Sequence, residues 1–189
     1  MADRKTAILD AAIGVIARRG IRGLRVEEVA AEAGVAVSLL YYHFGTRDGL
    51  VRATLDQANE RAAAEPGAAP DGRSGYDAVA RTLLGEFEPT PRTRDSSVVW
   101  GEILASAVFE PGLREQVRAA GEAWVALVAE RIAGGQRDGS VRAGVDARAS
   151  AERLTALVDG LSARWLAGAL EHERARELLR AGVAVELAP

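Results

Sequence analysis

Residues 24–51 read LRVEEVAAEAGVAVSLLYYHFGTRDGLV, and this stretch decides the fold. Apolar residues at helical spacing predict a first short helix, whose inner face holds Val26, Val29, Ala30 and Ala33. Gly34 supplies the backbone freedom that a sharp turn needs, and Val35 can fill the angle between two helices. The stretch therefore predicts two short helices joined by a tight turn.

The second short helix is predicted over residues 36–44 and has two different faces. Leu40 and Phe44 are four residues apart, so both can point into the core. The residues left outside are Val37, Ser38, Leu39 and Tyr42. A helix this short is not stable alone. In a helix-turn-helix its use is to present side chains to the major groove of DNA.

The segment AGVAVSLLYYHFGTRDGL, residues 33–50, resembles the DNA-binding segment of the TetR/AcrR family of bacterial transcriptional regulators. In that family a Gly-Val turn leads to a helix that ends in Leu-Tyr, a second aromatic, His or Tyr, and Phe. A Ser/Thr-Lys-Glu type cap and a Leu follow, and Arg47 and Asp48 take the Lys and Glu positions here. Arg25 and Ala36 replace the usual hydroxyl caps of the second and third helices, at a cost of about 1 kcal/mol each. The similarity covers residues 4–55, and beyond them only the length and the all-helical layout agree.

Together with this resemblance, the ring cluster at the end of the second short helix indicates phosphate contacts. Tyrosine hydroxyls, an imidazole and a guanidinium can donate to phosphate oxygens, which positions a protein on DNA without reading sequence. The residues assigned to this role are Tyr41, Tyr42, His43 and Arg47, with packing of the aromatic rings as the alternative. Base contacts are assigned to Val37, Ser38 and Leu39, which can touch thymine methyl groups but cannot recognise a purine with two hydrogen bonds. Arg22 and Arg25 are either phosphate contacts or solvated surface charges.

Composition and charge are compatible with this class. The chain has 189 residues, 48% hydrophobic, which is enough for one or two compact cores. Cysteine is absent, no apolar run approaches the ~20 residues of a membrane span, and the charged N-terminus lacks the apolar core of a signal peptide. The net charge is −3, but residues 1–52 hold eight Lys and Arg against six Asp and Glu. A mildly basic end on an acidic body suits a cytoplasmic protein that touches phosphate with one end, and no membrane is expected as a partner.

The rest of the chain reads as further helices, so the predicted fold class is all-α. Thr46 is a plausible cap for a helix over residues 47–64, and Gly20 ends a first helix over residues 5–19. The other helices are predicted over residues 76–87, 97–109, 111–133, 147–170 and 171–183. EPTPRTRD and GGQRDGSVRAGVD are read as loops, and a loop with Pro66, Gly67, Pro70, Gly72 and Gly75 marks the domain boundary.

The predicted domains are an N-terminal three-helix DNA-binding domain over residues 1–52, with a linking helix to about residue 64, and a helical bundle over residues 65–189. The bundle is expected to serve dimerisation and ligand binding.

Metal, cofactor and catalytic sites are not expected. The two histidines, His43 and His172, are far apart in sequence, whereas a zinc site needs several ligands at suitable spacing. Most carboxylates fall on polar helix faces. Glu102 is the exception, because it lies in the largely apolar segment VVWGEILASAVF, where it is paired, at an edge, or facing a cavity.

Two further sites come with the resemblance. Residues 147–170 carry apolar side chains at spacings of three and four, and the resemblance implies that the last two long helices form a dimer interface with a second copy. The residues assigned to it are Leu154, Leu157, Leu161 and Trp165, with a fully buried core helix as the alternative. The family also has a ligand cavity among the middle helices, to which we assign Tyr76, Trp100, Glu102, Phe109 and Trp124, with core packing as the alternative for each ring.

The sequence thus predicts a homodimeric, ligand-responsive DNA-binding regulator, favoured as a repressor, that leaves a palindromic double-stranded operator when an effector binds. Ring faces and a carboxylate attract cations, so a small apolar or aromatic effector is expected, with a cation favoured over an anion. The alternatives are an architectural DNA-binding protein without an effector, and a small helical enzyme or carrier that uses the middle cavity. An enzyme is not expected, because catalytic groups are few.

Overall fold

The structure is a computed structural model that describes residues 4–64 and 74–189. Four of the residues from which a domain boundary is predicted, Pro66, Gly67, Pro70 and Gly72, lie outside the described residues. The described residues form nine α-helices and no strand, which confirms the all-α prediction. The helices are α1 (Arg4–Arg19), α2 (Val26–Ala33), α3 (Val37–Phe44), α4 (Arg47–Ala64), α5 (Gly75–Gly85), α6 (Pro91–Ala107), α7 (Pro111–Asp138), α8 (Ala147–Leu166) and α9 (His172–Leu187).

The chain divides into two compact units, and the first joins residues 1–64 with residues 95–118. The second of these segments lies within the predicted C-terminal domain, residues 65–189. It joins the first unit because Val99 and Ile103, on α6, are fully buried in the core that α1 to α4 build. The amide of Gln116 also donates to the backbone carbonyl of Arg52 at 2.7 Å.

The core of the first unit follows from the spacing of apolar residues on short helices. α1 buries one face, and Gly20, at φ 70°, ends this helix in the left-handed conformation. Thr46 caps α4 as predicted, because its hydroxyl accepts the backbone N–H of Gly49 at 2.9 Å. The most deeply buried side chains are Ile8, Val15, Ile16, Val29, Leu40, Leu50 and Leu55.

The second unit comprises residues 65–94 and 119–189, and its core is formed by α5, the later part of α7, α8 and α9. Asp146 caps α8 by accepting the backbone N–H groups of Arg148 and Ala149. The central buried side chains are Val79, Leu83, Phe87, Val128, Ile132, Leu154, Leu161, Leu179 and Val183.

Helix bounds differ from the prediction where a proline or glycine was read as a loop. α6 begins at Pro91, six residues before the predicted start, because proline is favourable in a first helical turn and the Thr90 hydroxyl accepts the N–H of Thr93 at 3.1 Å. α7 continues to Asp138 through Gly134 and Gly135. A Cβ built on Gly135 would lie 2.4 Å from the Val141 side chain, so glycine is required there by close packing and does not break the helix.

The last two helices also end at other residues than predicted. α8 stops at Leu166, and Gly168, at φ 72°, turns the chain soon afterwards. α9 extends to Leu187, because Val183 and Leu187 are both buried on its inner face. Among the described residues, no helix is long and apolar enough to cross a membrane.

Candidate nucleic-acid interface

The turn between α2 and α3 has the geometry of a helix-turn-helix. Gly34 adopts φ 66° and ψ 35°, a left-handed conformation in which a glycine carries no steric penalty. The backbone N–H of Val35 then donates to the carbonyl of Ala30 at 3.0 Å, which closes the end of α2. Two residues later α3 begins, and buried Leu40 fixes it to the core.

α3 presents a polar and aromatic surface to solvent. Tyr42 is 81% exposed and Tyr41 is 47% exposed, and both Ser38 and His43 are exposed as well. The rings of Tyr42 and His43 meet edge to face with centroids 5.3 Å apart. Tyr42 is too exposed to be a packing aromatic, so its hydroxyl is available to a partner.

Two of the residues assigned to base contacts are less exposed than predicted. Val37 and Leu39 are half-buried and pack against the core of the first unit, whereas the sequence analysis left both outside. An eight-residue helix at the edge of a small core shares its apolar side chains between core and surface. Ser38 remains fully on the outer face.

The arginines next to α2 fall into paired and unpaired groups. Arg18 forms an ion pair with Glu32, and Arg19 forms one with Glu28 at 2.8 Å between Nε and Oε1. Both pairs join α1 to α2. The Arg18 hydrogen bond with Glu32 raises the pKa of that guanidinium above its ordinary value.

Arg22 and Arg25 precede the start of α2 and are exposed. Arg25 occupies the cap position of α2 and makes no capping hydrogen bond with its side chain. Among the described residues neither guanidinium has an ion pair, so both cationic groups are available to a partner.

Arg47, which the sequence assigns to a phosphate contact, makes hydrogen bonds within the first unit. Its Nε donates to the backbone carbonyl of Leu24 at 3.2 Å, and its Nη2 donates to the carbonyl of Ile21. A third nitrogen lies 3.5 Å from the carboxylate of Asp48. The side chain therefore ties the start of α4 to the loop before α2, an arrangement between residues more than twenty positions apart that sequence spacing does not reveal.

Glu102 supports the same loop from α6. Its Oε2 accepts the backbone N–H of Ile21 at 2.9 Å, and the residue is half-buried. The sequence allows Glu102 to be paired, at an edge or facing a cavity, and in the structure its carboxylate is hydrogen-bonded. The signal in the sequence was the isolated carboxylate on an apolar helix, but nothing identified its partner.

The five residues assigned to an effector site are divided between the two units. Tyr76 and Trp124 belong to the second unit and pack against its core. Trp100 packs against the core of the first unit. Phe109, in the same unit, is 74% exposed and lines an open groove of 290 Å³ that includes Arg47.

The residues assigned to a dimer interface lie mainly inside the chain. Leu154 is 2% and Leu161 is 6% exposed, and both belong to the core of the second unit. Leu157 and Trp165 are half-buried against the same core. Helical spacing identified the apolar face of α8 correctly, but α9 and α5 of the same chain cover that face.

The described residues contain no group of three or more His, Cys, Asp or Glu that could hold a metal ion. His172 is half-buried, and its Nε2 lies 2.7 Å from the carbonyl oxygen of Phe87. The other histidine, His43, is exposed on α3.

These features define a helix-turn-helix protein whose exposed face on α3 is the candidate for contact with DNA. Two family models match the chain: "Bacterial regulatory proteins, tetR family" over residues 8–54 and "BetI-type transcriptional repressor, C-terminal" over residues 76–188. The chain therefore belongs to the TetR family of bacterial regulatory proteins and is a DNA-binding transcriptional regulator with a BetI-type C-terminal part. The family resemblance of residues 33–50 is confirmed, and it extends beyond the residues in which the sequence analysis found it.

Individual proteins agree with this assignment. The HTH-type transcriptional regulator BetI 2 of Chromohalobacter salexigens is 29% identical over 174 residues, which cover 90% of this chain and 79% of the relative. A crystal structure from Rhodococcus sp., assigned to the TetR-family transcriptional regulators, is 42% identical with a TM-score of 0.91 and full coverage of both chains. A regulator from Saccharomonospora viridis, solved in complex with choline, is 26% identical with a TM-score of 0.82 and full coverage of both chains.

Proposed function

We propose that the protein is a homodimeric repressor whose two copies of α3 enter successive major grooves of a palindromic operator, about 34–36 Å apart. The observation that carries this proposal is the outer face of α3, where Tyr42 stands 81% exposed at the end of a helix fixed by buried Leu40. An operator in a bacterium lies in the cytoplasm, so we place the protein there.

Roles on DNA follow from which groups are available. Arg22, Arg25, Tyr41, Tyr42 and His43 carry exposed donors and are assigned to phosphate oxygens. The hydroxyl of Ser38 and the outer atoms of Val37 and Leu39 are assigned to base edges. Such small and apolar side chains read sequence weakly, so the shape of the operator contributes to its selection.

The dimer interface is assigned to outward faces of α8 and α9. On α8 the exposed residues include Ala156, Gly160 and Ala163, which recur at spacings of four and three and so share a face. On α9 Ala184 is exposed and Val185 is 79% exposed. Small side chains allow helices of two copies to approach closely, and the interface would be symmetric. These residues replace Leu154 and Leu161, which are covered within the chain.

We further propose that a small, largely apolar effector releases the repressor by favouring a conformation that binds the operator poorly. The choline complex of the Saccharomonospora neighbour supports a small-molecule site in this fold. Tyr76 and Trp124 in the second unit remain candidates for apolar contact. The expected preference for a cation rested on ring faces and on Glu102, and the carboxylate of Glu102 already accepts the N–H of Ile21.

Fluorescence anisotropy with DNA from the region upstream of its own gene tests the proposal. Tyr42→Ala should weaken binding about tenfold on every sequence, because a hydrogen bond to a charged phosphate is lost. Ser38→Ala should instead change the ranking of operator variants. The proposal fails at this step if Tyr42→Ala binds DNA as tightly as the natural chain.

A screen for ligands that raise the melting temperature separates the proposal from an architectural protein without an effector. We expect a ligand that raises the melting temperature also to lower operator affinity, since it binds one conformation preferentially. Ligands that raise the melting temperature but leave operator affinity unchanged would favour the architectural alternative.

A further inference from the structure

Two arginines in the second unit differ from the others around them. Arg81 on α5 is half-buried, and its Nη2 is shielded from solvent without a hydrogen-bond partner among the described residues. Arg131 on α7 is also half-buried. In contrast, several arginines of this unit have a carboxylate partner: Arg148 with Glu122, Arg153 with Glu186, Arg174 with Glu177 and Arg176 with Glu88.

The start of α5 touches α7 a few residues from these two arginines, and the charge of Arg81 acts on Arg131. A Cβ built on Gly75 would lie 2.3 Å from Cα of Gly135, so the two backbones touch where α5 begins. Asp138 accepts the N–H of Gly75 at 2.7 Å, which fixes this crossing. Arg81 is six residues after Gly75, and Arg131 is four residues before Gly135. Arg81 and Arg131 therefore lie about 9 and 6 Å from the crossing along their helices.

The direction of Arg131 is set by its position on α7. It lies three residues after Val128 and four before Gly135, both of which are buried, and seven after Trp124, which packs on the same core. Residues at these spacings share one face of a helix. Arg131 is thus the charged member of an otherwise apolar, inward-facing stripe.

Among the described residues, neither of these arginines forms an ion pair with a carboxylate. Asp77, one turn before Arg81, is exposed, and its carboxylate accepts the hydroxyl of Ser74 at 2.9 Å. Burial lowers the pKa of the Arg131 guanidinium below its ordinary value; exposed Glu130 opposes that shift, and the positive charge of Arg81 adds to it. Two guanidinium groups that repel one another in a half-buried place destabilise the fold, unless an anion binds between them.

We propose that Arg81 and Arg131 bind the carboxylate of the effector, with the ring of Trp124 contacting its apolar body. This inference rests on the proposed effector function and names the chemical class of that ligand: an organic acid. Guanidinium groups suit this role, because their planar donors match the two oxygens of a carboxylate. The effector then differs in charge from the choline bound by the Saccharomonospora neighbour.

Three probes with the same body test the charge preference: 3-phenylpropanoate, 3-phenylpropanol and (3-phenylpropyl)trimethylammonium. Each is added at millimolar concentration to the full chain at constant ionic strength, and the melting temperature is recorded. We expect the carboxylate to raise the melting temperature by about 2–4 °C and the other two to have little effect. A larger rise with the trimethylammonium probe, or no rise with any of the three, would overturn the proposal.

Variants assign the effect to the two arginines. Arg81→Met and Arg131→Met should each weaken binding of 3-phenylpropanoate at least tenfold, because a charged hydrogen-bond donor is lost. Arg137→Met, which removes an exposed arginine from the last turn of the same helix, is the matched control and should bind as before. Undiminished binding by both Met variants would also overturn the proposal.

The melting temperature without any probe gives an independent readout. Arg81→Met should raise it, because the change removes a buried donor without a partner and retains an apolar stem. A lower value would mean that Arg81 is a structural residue and would contradict the proposal. Operator binding by the unliganded protein is measured in parallel. If the unliganded protein does not bind the operator, the proposed function is contradicted. If it binds the operator but its ligand is a cation, only this inference is contradicted.

Discussion

Gly20 is constrained both by its backbone conformation and by the nearby carboxylate of Glu102. Its φ of +70° is unfavourable for a side chain, and a Cβ at this position would lie 2.7 Å from Oε2 of Glu102. Since that carboxylate accepts the N–H of Ile21, a side chain on Gly20 also interferes with the hydrogen bond that supports the loop before α2.

We therefore expect Gly20→Ala to destabilise the protein by more than Gly34→Ala. Gly34 has a similar φ of +66° with no atom within 4 Å of a built Cβ, so its substitution reports the conformational cost alone, about 1–2 kcal/mol. Urea denaturation of the two variants measures the difference. Equal losses would show that Glu102 moves aside without cost.

Arg47 is a second residue whose role is structural at this scale. Its guanidinium donates to the carbonyls of Ile21 and Leu24, so Arg47→Ala should lower the free energy of unfolding by about 1–3 kcal/mol. The comparison variant is Arg22→Ala, which should leave stability unchanged but reduce the salt dependence of operator binding by about one unit of slope. Denaturation and binding at several salt concentrations decide between the roles. A full effect of Arg47→Ala on the salt slope at unchanged stability would restore the phosphate contact predicted from the sequence.

At the scale of helices, α8 and α9 are joined through one carboxylate. Glu186 on α9 accepts the hydroxyl of fully buried Ser150 at 2.7 Å and forms an ion pair with Arg153, both on α8. The hydrogen bonds from Arg153 and then Ser150 lower the pKa of the Glu186 carboxyl below its ordinary 4.5. The charged form is thus favoured in the folded state.

This shift predicts a pH dependence with a definite sign. Because the folded pKa lies below the unfolded value, the contribution of Glu186 is complete above about pH 5 and is lost as the pH falls through the folded pKa. Glu186→Gln should cost about 1 kcal/mol at pH 7 and less at pH 3. Urea denaturation of both proteins at the two pH values provides the test. A difference that does not shrink on acidification would show that the charge of Glu186 is unimportant.

Helices were predictable from the sequence in so far as local patterns determine them. Spacing of apolar residues identified α1, α2 and α3, and Gly34 and Thr46 marked a turn and a cap that depend only on neighbouring residues. Gly135 misled the prediction, because a glycine that breaks an isolated helix is tolerated where two backbones need to approach. The hydrogen-bond partners of Arg47 and Glu102 could not be predicted, since each bond joins residues distant in sequence.

At the scale of the whole molecule, the sequence does not determine what each apolar helix face packs against. The apolar stripe of α8 is compatible with a core inside one chain or with an interface between two chains, and spacing does not distinguish them. Burial does, because Leu161 is 6% exposed within a single chain whereas its neighbour Gly160 faces outward. The same reasoning places residues 95–118 with the first unit, although they follow the predicted domain boundary.

Neighbouring positions on α8 therefore give a sharp test of the proposed dimer. Leu161→Arg should unfold the second unit, because it places an unpaired charge in the core. Gly160→Arg should give a folded monomer. A Cβ at Gly160 meets no atom within 4 Å, the change favours the helix, and a symmetric interface is affected twice. Light scattering at micromolar concentration reports the association state, and circular dichroism reports the fold. Operator affinity should fall when the dimer is lost, since a single α3 reads only half a palindrome.

If Gly160→Arg remains dimeric and folded, the interface does not use this face of α8. If Leu161→Arg is folded and monomeric, α8 turns its apolar stripe toward the second copy after all.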